Sequence, residues 1–186
     1  MIKQIRFRHL SRVIPLKGAL NARELGGLPL RNGRRVRPGR LIRSGRLSDL
    51  TAEDHEILRT RWHVTDIVDL RDDREVREHP DQAPDGAVLH RLSIFPGTAA
   101  GISRSDQNEA PAVIAIRRAE DLGPDGAKQL LERIYPDMVS LPYCLDRLRD
   151  FFRLLLSHTE GAFLWHCTSG KDRTGLSCAL LLWALG

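Results

Sequence analysis

A chain of 186 residues with 41% apolar content has the length of a single domain, residues 1–186, and enough hydrophobic side chains to bury a core. Three cysteines at irregular spacing exclude a disulfide framework or a zinc ligand set, and no segment is long and apolar enough to be a transmembrane span. The net charge of +5 is uneven: residues 1–50 hold 13 Lys or Arg against Glu24 and Asp49, a local +11 that leaves −6 for the remainder.

The opening ten residues are basic and interrupted, without the apolar stretch of a signal peptide. The arginine-rich residues 31–40 read as a hairpin with a solvated face. The alternative is a surface for an anionic partner, a phospholipid membrane or an acidic peptide. No nucleic acid is expected, because neither an aromatic-studded sheet nor a recognition helix accompanies the charge. Residues 40–47 read as a strand, and Thr51 with Asp54 opens a helix through a capping box. Strands follow at 64–70 and 87–94. The Gly, Ser and Thr content of residues 95–108 indicates a loop suited to act as a lid. Helices are expected at 112–121, 127–138 and 142–157. In the last, Leu145, Leu148, Phe152 and Leu155 recur at helical spacing as a core stripe. An apolar run at 161–165 reads as a buried parallel strand, and 174–185 as an apolar helix. Strands alternating with helices predict an α/β layered sheet flanked by helices, with ligands at the carboxyl ends of the strands.

That is where the most informative segment falls: His166-Cys167-Thr168-Ser169-Gly170-Lys171-Asp172-Arg173-Thr174-Gly175. A glycine-containing turn between strand and helix brings backbone N–H groups together beside a helix N-terminus, which suits an oxyanion. The same field favours the thiolate of Cys167, the competent form of the nucleophile. Arg173 offers two parallel donors matched to two phosphate oxygens. The segment therefore reads as a phosphate-binding loop with a nucleophile at its base, and predicts hydrolysis of phosphate esters.

These residues resemble the signature loop of the cysteine-dependent protein tyrosine phosphatase superfamily. More narrowly, they resemble the bacterial tyrosine/serine phosphatases whose loop is shared in part with phosphoinositide phosphatases. Upstream, Asn21-Ala22-Arg23-Glu24-Leu25-Gly26-Gly27 is similar to that family's Asn-Phe-Arg-Asp-Leu-Gly-Gly element. Arg43-Ser44 is similar to its Arg-Ser strand, and Asp69-Leu70-Arg71 with Glu75 to its Asp-Leu-Arg-x-x-x-Glu element. Ala22 stands in place of an aromatic, Glu24 in place of aspartate and Ser169 in place of the usual alanine.

The resemblance implies a protein tyrosine phosphatase-like fold and hydrolysis through a phosphocysteine. The substrate would be a phosphotyrosine protein, with phosphoserine, phosphothreonine and phosphoinositides as further candidates. Cys167 and Arg173 are the expected catalytic pair, and Asp172, inside the loop, is the candidate acid. Asp106 is the alternative acid, leaving Asp172 to pair with an arginine. His166, Thr168, Ser169, Gly170, Lys171 and Thr174 complete the substrate-binding set: Thr174 as a hydrogen-bond donor to the sulfur, His166 as the orienting group, Lys171 as the contact to a second phosphate. Lys171 and the arginine-rich N-terminal half are expected to hold a multiply phosphorylated headgroup together. Asp69-Leu70-Arg71 either approaches the site or forms a structural Arg71–Glu75 pair. Asn21, Arg23 and Gly26-Gly27 are expected to brace the loop from below. No cofactor and no metal are called for. A reducing cytosol suits the thiolate, with export lacking a cleaved signal left open. Two other readings use the same loop: a catalytically impaired phosphate-binding module, and a thiolate-based arsenate reductase or sulfurtransferase. The sequence stops at Gly186, where members of the family continue with further helices. Because Leu176, Leu180, Leu181, Leu182 and Trp183 make the last helix apolar nearly all round, the expectation is a dimer through that helix or a piece of a longer chain.

Overall fold

The computed structural model describes residues 12–94 and 125–186. The predicted lid at 95–108, the helix at 112–121, the alternative acid Asp106 and the basic opening residues lie outside the described residues. In chain order the strands are β1 (Arg12–Val13), β2 (Arg23–Glu24), β3 (Leu41–Ser44), β4 (Val64–Asp69), β5 (Val88–Arg91) and β6 (Ala162–His166). The helices are α1 (Ala52–Glu56), extended by a π-helical turn at Ile57–Arg61, α2 (Asp73–Glu78), α3 (Gly126–Ser140), α4 (Pro142–Ser157) and α5 (Asp172–Leu185). No helix among the described residues is long and apolar enough to cross a membrane.

Strand β6 explains the architecture. Its five residues are all buried, as expected of a strand covered on both faces, and successive side chains point to opposite sides. Phe163 and Trp165 enter one core with Val68, Leu148, Phe151, Cys178 and Leu181. Ala162 and Leu164 enter a second core with Ile42, Leu47, Leu58 and Ile67. The described strands form one sheet in the order β1-β2-β3-β6-β4-β5, with β3, β6, β4 and β5 parallel and the β1–β2–β3 edge antiparallel. The rings of Phe163 and Trp165 meet Phe151 edge-on at centroid distances of 5.9 and 5.8 Å, a geometry that adds about 1 kcal/mol per pair to the burial itself.

Capping chemistry at α1 is as the sequence predicts: the Thr51 side chain accepts from Asp54 N at 3.2 Å, and Asp54 accepts from Thr51 N at 2.9 Å. Helix α5 begins at Asp172, two residues before the predicted start, so the acidic residue sits in its first turn where the helix dipole favours it. Three members of the predicted α4 stripe face the core: Leu148 is buried, and Phe152 and Leu155 pack against the same cluster, with Cys144 and Phe151 buried beside them. Leu145 departs from it, 43% exposed. Helix α5 is likewise one-sided. Thr174, Ser177, Cys178 and Leu181 are buried and Trp183 is 77% exposed, so this apolar helix shows an exposed face beside its buried one.

Register levels the carboxyl ends of three strands. Ser44 and Asp69 both stand opposite His166, so the chain leaves β3, β4 and β6 at one end of the sheet, the place where α/β sheets hold ligands. The arginines of the N-terminal half divide between the two ends. Arg43 and Arg46 stand at the ligand end. The stretch 31–40 forms a turn closed by Leu30 N to Arg34 O at 2.9 Å, and runs into the start of β3. There Arg40 donates to Thr159 O at 2.9 Å, the length of β3 away from the loop, about 13 Å at 3.3 Å per residue. A four-residue strand therefore separates the stretch 31–40 from Lys171, while Arg43 and Arg46 of the same N-terminal half stand against the loop.

Candidate active site

Between β6 and α5 the backbone makes a tight loop over Cys167–Lys171. Gly170 has φ of 64°, and a Cβ there would come within 2.5 Å of the Ser44 carbonyl, so this position accepts only glycine. Three successive carbonyls are held by donors from the β1–β3 side of the molecule. Thr168 O accepts from Arg46 N at 3.1 Å, Ser169 O from Asn21 Nδ2 at 2.8 Å and Gly170 O from an Arg43 guanidinium nitrogen at 2.5 Å. Asn21 is itself in the left-handed region, with φ of 55°, so the expected bracing by the Asn21 element is made by its side chain. Gly26 serves a different contact: a Cβ there would lie 2.4 Å from the Glu24 carboxylate and 2.5 Å from Pro38 Cα. Among the described residues no acceptor takes the amide N–H of Thr168, Ser169, Gly170 or Lys171. With their carbonyls engaged, these amides and the first turn of α5 are the groups left for an anion.

Arg173 is preset. Its two terminal nitrogens donate to the two oxygens of Glu75 at 2.6 and 2.7 Å, and Thr168 Oγ1 donates to the same carboxylate. Glu75 sits in the first turn of α2, where its side chain also closes the Asp72 capping box at 3.0 Å. Burial alone would raise the Glu75 carboxyl, but the hydrogen bonds and charge of Arg173, with Thr168, hold it down at about 2. The same pair, aided by the charge of a Cys167 thiolate, holds Arg173 above its ordinary value against its burial. The expected Arg71–Glu75 pair is thereby corrected. Arg71 points under the sheet's end instead, bidentate to Asp69 at 2.9 and 2.8 Å and 2.7 Å from Asp81, because its side chain is fully buried and needs charged partners there.

Cys167 lies at the base of the loop, only 3% exposed. Asp172 accepts a 2.5 Å hydrogen bond from the hydroxyl of Tyr135 on α3. That bond, with burial and the charges of Asp172 and Cys167 adding, pushes the Tyr135 phenol up to about 12. Tyr135 therefore keeps its proton and donates it to an oxygen of the Asp172 carboxyl group, so the partner of Asp172 is a tyrosine rather than an arginine.

A family model for the tyrosine phosphatases matches residues 14–186. The chain belongs to the tyrosine phosphatase family. It is 34% identical over 170 residues to a Cupriavidus necator protein whose name assigns it provisionally to the tyrosine-protein phosphatases, covering 89% of this chain and 55% of that one. It is also 34% identical over 184 residues to the triple specificity protein phosphatase PtpB of Mycobacterium tuberculosis, covering 92% of this chain and 63% of PtpB. The phosphatase-family chain thus spans less than two thirds of the length of these curated relatives.

The remaining loop residues of this family member fall into two groups. His166 is wholly buried, with Nε2 3.0 Å from Asp81 and Nδ1 3.8 Å from Asp69, so it positions the loop from inside. Burial would raise the Asp81 carboxyl, and the adjacent His166 ring and Arg71 guanidinium, with the Leu47 amide, hold it down at about 2. Asp69, Asp81 and His166 place donor atoms within 4.8 Å of one another, and the Arg71 guanidinium already lies against both carboxylates, so this cluster is an ion-pair network in which a cationic side chain stands where a metal would. Thr174 is also wholly buried, and its Oγ1 has no hydrogen-bond partner among the described residues; the expected bond to the sulfur is not formed in this arrangement. Ser169 and Lys171 are exposed or nearly so at the rim. Glu75 belonged to a motif legible in sequence but with the wrong partner assigned. Tyr135 and Asp81 carried no sequence signal, being single polar residues 37 and 85 positions from the groups they contact.

Proposed function

We propose that this chain is a cysteine-dependent phosphomonoester hydrolase acting on phosphotyrosine. The observation that carries the reading is Arg173, already fixed by two hydrogen bonds to Glu75 at the end of the loop that has Cys167 at its base. A phosphate seated on the loop amides would meet a preorganised guanidinium and a sulfur nucleophile together. In the first step Cys167 Sγ attacks phosphorus, the phosphorus–oxygen bond to the leaving group breaks, and Asp172 gives that oxygen its proton. In the second, Asp172 as carboxylate takes a proton from water, whose oxygen displaces the sulfur and releases inorganic phosphate. To Thr174 Oγ1, buried and without a hydrogen-bond partner among the described residues, we assign the donor role to the sulfur as it leaves; an orphaned hydroxyl costs about 1–3 kcal/mol until it finds an acceptor.

The printed name of the Mycobacterium tuberculosis relative, a triple specificity protein phosphatase, supports a range wider than phosphotyrosine. We extend the proposal to phosphoserine, phosphothreonine and phosphoinositide substrates, with Lys171 at the rim as the contact to a second phosphate. A reducing, cytosolic setting suits the mechanism, since Cys144, Cys167 and Cys178 are all free thiols. The test is hydrolysis of a phosphotyrosine peptide, a phosphoserine peptide and a phosphoinositide by the purified chain, with vanadate as inhibitor. Vanadate-sensitive release of phosphate from the phosphotyrosine peptide is expected, and none from any of the three would refute the reading.

The role of Asp172 has its own signature. Asp172→Asn should slow phosphotyrosine hydrolysis by about 10²-fold or more, yet barely change nitrophenyl phosphate, whose leaving group departs without a proton. An equal loss on both substrates would assign Asp172 a positioning role with Tyr135.

A further inference from the structure

Helix α3 brings to the loop a hydroxyl that takes no part in the steps assigned to Cys167, Arg173 and Asp172. Tyr135 and Met138 stand one turn apart on α3, and Met138 is buried, so the face that carries both is docked on the body of the protein. The Tyr135 side chain reaches the acid. Its hydroxyl donates to Asp172 Oδ1 at 2.5 Å. The sulfur of Cys167 contributes to the same upward shift of the phenol, so the hydroxyl stands within electrostatic reach of the nucleophile as well.

This one bond makes the two oxygens of Asp172 unequal. Oδ1 is taken by the phenol, and Oδ2 has no hydrogen-bond partner among the described residues. In a neutral carboxyl group the carbonyl oxygen is the better acceptor and the other oxygen carries the proton. With Oδ1 as the acceptor, the acidic proton belongs on Oδ2. The phenol does not compete for it, since it keeps its own proton up to about 12.

We propose that Tyr135 is the positioning residue of the acid: its hydroxyl fixes the Asp172 carboxyl group, confines the transferable proton to Oδ2 and stabilises the carboxylate as that proton leaves. This rests on the reading of Asp172 as the acid. When the phosphoenzyme forms, the Oδ2–H bond breaks and the proton joins the leaving oxygen. The Tyr135 hydrogen bond strengthens in the same step, because its acceptor gains negative charge. When the phosphoenzyme is hydrolysed, Oδ2 takes a proton from water and the bond relaxes again. Tyr135 touches neither phosphorus nor the leaving group and acts through Asp172 alone.

The experiment compares Tyr135→Phe, Asp172→Asn and the double variant on a phosphotyrosine peptide and on nitrophenyl phosphate. Calorimetry with the same peptide is run on Cys167→Ser, with and without Tyr135→Phe. Phenylalanine keeps the ring and removes only the hydroxyl, at a residue 37% exposed, so the denaturant midpoint should stay close to that of the unsubstituted chain. Tyr135→Phe should lower kcat/KM for the peptide about tenfold more than for nitrophenyl phosphate, the difference between a hydrogen bond to a charged and to a neutral acceptor. Added to Asp172→Asn it should cost nothing further, because the proton it positions is gone. Peptide affinity in the Cys167→Ser background should be unchanged. An equal loss on both esters, an undiminished loss in the double variant, unaltered peptide turnover, or peptide affinity weakened by the same tenfold would overturn the proposal, the last by making Tyr135 a substrate contact. Failure of the acid itself looks different. Equal losses on both esters in Asp172→Asn remove the acid and this proposal with it, whereas a selective loss in Asp172→Asn with none in Tyr135→Phe removes this proposal alone.

Discussion

Cys167→Ser should leave no measurable phosphotyrosine hydrolysis, a loss on the order of 10³-fold or more, while phosphate or substrate still binds. Serine keeps the size of the side chain at this nearly sealed position, so the loop amides and the Glu75-held Arg173 remain in place to receive an anion. What disappears is the sulfur nucleophile. Steady-state kinetics on a phosphotyrosine peptide and calorimetry with the same peptide separate the two effects. Chelators should change nothing, since sulfur, guanidinium and carboxylate perform every step of the proposed mechanism. Substantial residual turnover in Cys167→Ser, or loss of activity with a chelator, would reject the cysteine mechanism.

The second large effect belongs to Glu75, a residue that never needs to touch substrate. Glu75→Ala removes both acceptors of the Arg173 fork and the acceptor of Thr168. Breaking a buried pair on one side costs about 3–5 kcal/mol, and a guanidinium free to turn away should lower kcat/KM by about 10²-fold. Glu75→Gln keeps the shape and separates the charge from the packing through pH. The folded Glu75 carboxyl, at about 2, lies below its unfolded value of 4.5. Its contribution is therefore complete above pH 4.5 and is lost as pH falls toward 2, on the order of 3 kcal/mol across that window. Denaturant unfolding at pH 7, 4 and 3 should show this acid sensitivity in the unsubstituted chain and a shallower one in Glu75→Gln. Asp81, also held at about 2, keeps part of it in both. Identical pH slopes would mean that the Arg173–Glu75 contact does not hold the charge as described.

The features legible in the residues alone are those whose causes are local. The capping box of Thr51 and Asp54 spans three positions, and hydrogen bonds of that reach form wherever the helix forms. The phosphate loop is of the same kind. Cys167 and Arg173 are separated by one turn whose geometry requires a glycine at position 170, and the apolar residues of β6 on one side and the helix on the other mark its place between strand and helix. Alternation of strands and helices was enough to place that loop at the carboxyl end of a parallel sheet.

Where pattern was ambiguous, or the partner distant, local reasoning went astray. In α4 the stripe through Leu148, Phe152 and Leu155 reaches the core as expected, but Leu145 is exposed, and Cys144 and Phe151 are the residues that the rings of Phe163 and Trp165 bury beside it. Arg71 and Glu75 stand four residues apart and invite pairing, yet each has a stronger partner brought by the fold: Asp81 for Arg71, and for Glu75 an arginine 98 residues away. A charge balance of +11 in the first fifty residues looks like one surface until β3 is drawn through it, with its arginine-rich approach at one end and Arg43 against the loop at the other. The chemistry of the loop was thus determined by the order of a few neighbouring residues, since a turn's backbone depends on its own side chains. The company of each loop residue, Glu75 for Arg173, Tyr135 for Asp172 and Asp81 for His166, was decided by the tertiary structure, because a polar group pairs with whichever partner packing brings to within about 3 Å, however far along the chain it lies.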